Sequence, residues 1–455
     1  MHRSIGALHC SVHAFHYRNG RLHCEEVDLT GPATEFGTPL FVYSAGTILD
    51  HYGRLNDALS PLEHLICYAV KANSNRAILK LLSDAGAGFD IVSGGELYRV
   101  IAAGGDPRKC TFAGVGKSPE EIDYALDRNV LSFNVESEGE LEDIDQIARA
   151  KGMRAPVALR INPDVDAHTH QYISTGSHEN KFGIALERAA SIYQRASQMP
   201  NVELVGIQMH IGSQITDPRP FAAAVGKVAP LVKELKANYG IRFFSIGGGL
   251  GIVYQSSFAS GERKWWNEHN AEITGQDQAL SIQEYVGAIL PALRELDVRI
   301  LLEPGRLLVG NAGVLLTRVR HMKQTGTKSF AIVDAGMNDL IRPALYQSYH
   351  EIVPVQEPLA GNKQTQPIDV VGPVCESGDF FAIDRPMPEL HQGDLLAIMS
   401  AGAYGMSMAS NYNSRPFPAE VLVSGQRFSQ VRRRQQWEDL VRGEVGEPQW
   451  SKVME

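Results

Sequence analysis

The chain has 455 residues, 44% of them hydrophobic and 21% charged, with a formal net charge of -9. That length and apolar share specify a soluble globular protein with room for a sizeable core and two domains. The negative balance argues against nucleic acid or an anionic membrane as a partner, and no run of about 18 apolar residues could cross a bilayer.

The N-terminus lacks the apolar core of a signal peptide. Residues 1–47 alternate short apolar segments with turns and read as β structure. Arg18-Asn19-Gly20 predicts a hairpin turn, and Thr38-Pro39 leads into Leu40-Phe41-Val42-Tyr43. From residue 48 to 310, short apolar runs alternate with amphipathic stretches. The runs predict eight strands at 65–70, 88–92, 110–113, 130–135, 157–161, 204–210, 243–246 and 299–302. Helix starts are signalled by Ser118-Pro119-Glu120-Glu121, by Ser137 with Glu140 and by Ser281 with Glu284. Two connections are long, 162–184 and 251–279, the second carrying Trp265-Trp266; long loops of this kind serve as lids or interface elements. Residues 311–424 return to β, with strands predicted at 314–319, 329–333, 368–371, 394–398 and 420–423. Residues 425–455 read as a charged tail, in which Arg432-Arg433-Arg434, followed by Glu438 and Asp439, fits a solvated helix. The predicted fold is α/β: a (β/α)8 TIM-like barrel at 48–310, plus a C-terminal β-sandwich or barrel domain at 311–424 joined by the N-terminal strands 1–47. An open doubly wound sheet is the alternative.

In a barrel, all the C-terminal strand ends face one opening. The first strand ends on Lys71, within Tyr68-Ala69-Val70-Lys71-Ala72-Asn73. A lysine there can lose its proton and form an imine with a carbonyl, or it can simply reach for water. Asp90 flanks the second strand, and Arg160 and Asn162 lie on the fifth. His210 and Gly212-Ser213 follow the sixth, Gly247-Gly248-Gly249-Leu250-Gly251 the seventh and Glu303-Pro304-Gly305-Arg306 the eighth. Such polar groups are costly in an apolar core, so their concentration on one rim marks a site. The glycine run lets backbone N–H groups approach an anion, and with Ser213 and Arg306 it makes a phosphate site; read alone, it is a tight turn. It is not a dinucleotide fingerprint, because Ile252 stands where the third glycine belongs. Gly114-Val115-Gly116-Lys117-Ser118 is half a Walker loop, but Thr111 occupies the first glycine position and Ser118 is better read as a helix cap. A phosphate site, an imine-forming lysine and a carboxylate opposite it together describe a pyridoxal phosphate pocket. There Glu303 would keep the pyridine nitrogen protonated. His210 would stack on the ring, or else be a core histidine bonded to a neighbour.

Tyr68–Asn73, His210-Ile211-Gly212-Ser213-Gln214, the glycine run, Glu303–Arg306, Cys375-Glu376-Ser377-Gly378-Asp379 and Gly402-Ala403-Tyr404-Gly405 occur in this order. The set resembles that of the barrel-type (fold type III) pyridoxal phosphate decarboxylases, and within them the diaminopimelate decarboxylase branch, over residues 13–424. Arg342-Pro343-Ala344-Leu345-Tyr346, His168-Thr169-His170 and Lys181-Phe182-Gly183 match the same branch; the Trp265-Trp266 insertion and the tail after Ser424 depart from it. The resemblance implies pyridoxal 5'-phosphate as cofactor and decarboxylation of meso-2,6-diaminopimelate to L-lysine. It implies cofactor contacts from Lys71, Asp90, Arg160, His210 and Ser213, from Gly248 and Gly249, and from Glu303, Gly305, Arg306 and Tyr404. Arg306, Arg342, Tyr346, Glu376 and Tyr404 would hold the distal amino-acid end of the substrate, arginines clamping a carboxylate and Glu376 an ammonium. Cys375 would donate the proton after carbon dioxide leaves; taken alone it could be an inert buried thiol. Cys375 and Glu376 would come from the partner subunit, so a homodimer is implied. A relative acting on ornithine, arginine or a carboxylated polyamine is the nearer alternative, and a non-catalytic homologue that binds a partner protein the more distant one. No metal is expected: His168 and His170 lack an evident third ligand. Cys10, Cys24, Cys67, Cys110 and Cys375 form neither a metal pattern nor a disulfide framework, which suits the reducing cytoplasm.

Overall fold

The computed structural model describes residues 12–166, 181–262, 264–266, 280–358 and 364–451. The continuous apolar runs become eight parallel strands, because a strand buried on both faces has no polar side to alternate with. They are β1 (His64–Ala69), β2 (Gly88–Ile91), β3 (Cys110–Phe112), β4 (Ser132–Val135), β5 (Ala155–Asn162), β6 (Val202–Met209), β7 (Phe243–Ser245) and β8 (Arg299–Leu302). Each pairs in parallel with the next, and β8 pairs with β1, so the sheet closes. Closure rules out the open doubly wound sheet, and every strand lies within two residues of its predicted span.

The capping signals act as their residue types require. Ser118 and Ser281 complete capping boxes at the helices Pro119–Asp127 and Ile282–Leu293. Ser137 accepts the Glu140 N–H, but the Glu140 side chain turns to the Glu136 N–H at 2.8 Å and to Lys117 at 2.5 Å instead of closing the box.

A second sheet joins an N-terminal strand to strands from the C-terminal part of the chain. The strand Leu40–Ser44 pairs antiparallel with Gly313–Thr325 on one side and parallel with Ala419–Ser424 on the other. Its side chains alternate as a strand's must: Leu40 and Val42 pack with Val314, Leu316 and Val421, while Phe41 and Tyr43 join the larger core between the barrel strands and their helices. Beneath it, the buried Glu420 carboxylate accepts from the Tyr43 hydroxyl at 2.8 Å and from Asn75 Nδ2 at 3.0 Å. Asn75 caps the helix that follows Lys71, so the second sheet is bonded directly to the strand end that carries the lysine.

Three expectations need correction. Residues Thr30–Phe36 form a helix within the segment read as β. Phe380–Met387 is a strand not anticipated from sequence. The arginine run is not a solvated helix: Gly425, at φ +60°, turns the chain back so that Arg427–Arg432 pairs with Ala419–Ser424. Arg432 then meets Glu420, and Arg434 donates to the Phe36 and Pro39 carbonyls; only Trp437–Leu440 is helical beyond it. Asn19 and Gly20, both at positive φ, make the predicted hairpin turn between Phe15–Arg18 and Arg21–Cys24. In the long connection after β7, Trp265 is buried and Trp266 Nε1 donates to the Ser260 carbonyl at 2.8 Å. His168 and His170 lie outside the described residues.

Candidate active site

Lys71 does not follow β1 in an open loop; Val70–Ala72 form a single 3-10 turn. Tyr68 Oη donates to the Asn73 carbonyl at 2.9 Å, Asn73 Nδ2 donates to the Gly402 carbonyl at 3.1 Å, and the Tyr404 N–H donates to the Ala72 carbonyl at 2.8 Å. These bonds hold the lysine's backbone while its side chain, 43% exposed, opens onto the cleft. Lys71 Nζ lies 2.9 Å from Asp90 Oδ2. Burial works to lower the lysine's pKa, but Asp90, Tyr404 and Glu303 outweigh it and hold the ammonium above its ordinary range. Asp90 is 1% exposed, and its second oxygen has no hydrogen-bond partner among the described residues.

Glu303, directly after β8, is buried in the same electrostatic field. Its carboxylate accepts from Ser245 Oγ at 2.6 Å and from Gln208 Nε2 at 2.9 Å. Burial first, and the charge of Asp90 second, push its pKa up to about 7 against those two donors and Lys71. Beside it the glycine run packs backbone on backbone. A Cβ on Gly248 would sit 2.2 Å from the Glu303 carbonyl oxygen, and one on Gly249, at φ +107°, 2.4 Å from that of Gly212. The Gly248 N–H donates to His210 Nδ1 at 3.2 Å. Burial, with the charges of Arg160 and Lys71 behind it, holds His210 well below its usual pKa, as an accepting nitrogen requires.

Arg306 Nη2 donates to Ser213 Oγ at 3.0 Å and Nη1 to Tyr254 Oη at 2.5 Å, while its buried Nε is left without a partner. The guanidinium lies 4.8 Å from the Tyr404 ring centre, and a Cβ on Gly305 would lie 3.4 Å from Tyr404 Oη. Arg342, on the short helix Arg342–Tyr346, lies 4.6 Å from the Tyr254 ring centre, and the Tyr346 phenol acts electrostatically on both arginines. Arg160 is placed differently: it is spoken for by the buried Glu136 at 2.9 Å and by the Phe182 ring at 4.9 Å.

The region 45–310 matches the family model described as "Pyridoxal-dependent decarboxylase, pyridoxal binding domain". The chain is 48% identical to the diaminopimelate decarboxylase of Pseudomonas aeruginosa over 436 residues, 96% of this chain and 99% of that one. It is also 48% identical to that of Vibrio cholerae, over 94% of this chain and 97% of the relative. This chain belongs to the diaminopimelate decarboxylase family. The crystal structure of the Helicobacter pylori diaminopimelate decarboxylase complexed with L-lysine superposes with a TM-score of 0.82 at 41% identity, covering 91% of this chain and 98% of that one.

The residues of this site fit a pyridoxal phosphate on three counts. The Gly248–Gly249 approach leaves no room for side chains, as an anion-binding cradle of backbone requires. Arg306 Nε and Asp90 Oδ1 are buried polar atoms without partners among the described residues. A carboxylic acid and an amine share one electrostatic field on the rim. Cys375 and Glu376 sit apart from this group, on an exposed turn. The turn is held by Asp379, which accepts the Val374 and Met337 N–H groups at 2.6 Å each, and by Asn413 Oδ1, which accepts the Cys375 N–H at 2.8 Å. Among the described residues, neither the Cys375 nor the Glu376 side chain bonds to the Lys71–Glu303 group. Cys375 is therefore an exposed thiol in this chain, not a buried inert one.

Sequence reasoning missed Gln208, Ser245, Glu136, Tyr254 and His350. Gln208 and Ser245 stand two positions before His210 and Gly247, so the two-residue period of a strand puts each pair on one face and could have found them. Tyr254 lies in an aperiodic connection that carries no such signal.

Proposed function

We propose that the chain decarboxylates meso-2,6-diaminopimelate to L-lysine and carbon dioxide, with pyridoxal 5'-phosphate bound, as a cytoplasmic homodimer. The observation that carries this reading is the pair Arg306 and Arg342: both guanidiniums are buried, and no carboxylate pairs with either among the described residues. Buried unpaired cations are costly, and a ligand with a carboxylate far from its reacting end relieves them. A bare diamine does not.

Bound pyridoxal phosphate supplies an electron sink for the pair left behind when the carboxylate departs. Lys71 would hold the carbonyl end of the cofactor and Glu303, as a carboxylate, would stabilise a protonated ring nitrogen. His210, Asp90, Arg160 and Tyr404 would line the ring, and Ser213, Gly248, Gly249, Gly305 and Arg306 the phosphate. Arg306, Arg342, Tyr346 and Tyr404 would hold the distal carboxylate and so orient the substrate. Glu376 would take the distal ammonium and Cys375 would give a proton to the substrate carbon, both from the partner subunit, as the family resemblance implies; each is exposed in its own chain. Among the described residues no helix is long and apolar enough to cross a membrane.

A substrate panel on the purified holoenzyme tests the reading. Turnover of meso-diaminopimelate should exceed that of ornithine and arginine by about 10³-fold or more in kcat/KM, because neither carries a second carboxylate to pair with the clamp; equal turnover of either would overturn it. The shared site has its own test. Lys71→Ala and Cys375→Ala homodimers should each be inactive, yet mixing and reassociation should restore up to roughly a quarter of wild-type activity, the share for random pairing in a two-fold dimer. No recovery would place both residues in one subunit.

A further inference from the structure

Arg306 and Arg342 share one aromatic ring, and like charges so placed repel. Their guanidiniums lie 5.8 and 4.6 Å from the Tyr254 ring centre. Burial lowers the pKa of Arg342, and the charge of Arg306 lowers it further. The groups that hold the pair in place are all neutral. Tyr254 Oη accepts from Arg306 Nη1 at 2.5 Å and Ser213 Oγ from its Nη2 at 3.0 Å. His350 Nε2 accepts from Arg342 Nη1 at 2.9 Å and Ser348 Oγ from its Nη2 at 3.3 Å. His350 Nδ1–H donates to the Met399 carbonyl at 2.8 Å, which fixes the tautomer that leaves Nε2 free to accept. Burial, and after it the charge of Arg342, keep that imidazole neutral, its pKa near 3. The His350 ring meets the Tyr254 ring edge-on, with centres 5.1 Å apart at 76°.

A carboxylate on this wall would hold the arginines equally well but would cancel the charge that draws in a second carboxylate. Neutral acceptors orient the pair and leave its charge intact. Burial raises the pKa of the Tyr254 phenol, yet the two guanidiniums bring it below its ordinary value, so both cations act on this oxygen.

We infer that Tyr254, backed by His350, is a positioning residue that fixes Arg306 and Arg342 as one doubly charged clamp and so sets the preference for ligands with a carboxylate at the distal end. The inference rests on the function proposed above. Its test compares L-lysine with 1,5-diaminopentane, which differ by that carboxylate alone, as competitive inhibitors of the holoenzyme. Wild type should bind lysine more tightly. Tyr254→Phe keeps the ring beneath Arg342 but removes the acceptor of Arg306 Nη1, and should cut the lysine-to-diamine affinity ratio by about 10- to 100-fold, the range for a hydrogen bond to a charged group. A merely structural role would weaken both ligands together and leave the ratio where it was. His350→Phe removes the acceptor of Arg342 Nη1 and leaves that of Nη2; it should lower the ratio likewise, so a Tyr254→Phe protein that failed to bind cofactor would leave this second variant to decide. A wild-type ratio near one would overturn the proposed function and the clamp with it. A wild type that prefers lysine, with variants that prefer it equally, would overturn the role of Tyr254 alone.

Discussion

Lys71→Ala is expected to lower kcat by about 10²–10⁴-fold, the range for removing a positioned group that moves protons at the reacting centre, and to abolish the near-visible absorbance of lysine-linked cofactor. Lys71 is the amine of the rim: it is held 2.9 Å from Asp90 and shares a field with Glu303 and Tyr404. The turn that carries it does not depend on its side chain, because Tyr68, Asn73 and the Tyr404 N–H pin the backbone. The fold should therefore survive, at a cost of about 1–3 kcal/mol for leaving buried Asp90 without its cation. Adding Asp90→Asn to Lys71→Ala should recover that stability in urea unfolding but none of the turnover. Turnover within tenfold of wild type, with the absorbance intact, would remove Lys71 from the chemistry.

The reason this much was legible from residues alone lies in the barrel. Once eight apolar runs close into a barrel, closure sends every C-terminal strand end to the same rim. Lys71, Asp90, His210 and Glu303 could thus be brought together before any coordinates. Reading only strand ends stopped one pleat short, however, and Gln208 and Ser245, which hold Glu303, were passed over. The strand Arg427–Arg432 was missed for a different reason. It buries no residue fully, so it has no apolar face to betray it; the turn at Gly425 and the buried partner Glu420 specify it instead. Tyr254 and His350 lie in connections whose conformation is set by distant contacts. Cys375 and Glu376 occupy an exposed turn and entered by resemblance, because nothing local distinguishes a thiol that serves another subunit from one that serves none.

Glu303→Gln is expected to cost about 10²–10³-fold in kcat, the effect of removing one preorganised electrostatic group, while making the cofactor-free protein more stable at neutral pH. The substitution fits the space. Ser245 Oγ can still bond the amide, and Gln208, whose Oε1 has no partner now, can turn its own amide to accept from the new one. The stability change follows from the carboxylic acid's pKa, raised from 4.5 to about 7 chiefly by burial. Below the unfolded value both states are protonated and Glu303 contributes nothing. Between the two values the folded chain keeps a proton that the unfolded chain has released, so stability falls as pH rises through that window. Above the folded value the penalty is complete, about 3 kcal/mol for a shift of that size. Glutamine carries no such penalty, so urea midpoints of wild type and variant should lie close at pH near 4 and separate by pH near 8, with the variant higher. Parallel midpoints across that range would mean that Glu303 is already ionised in the empty site. A variant that turned over normally would mean that no protonated ring nitrogen depends on it.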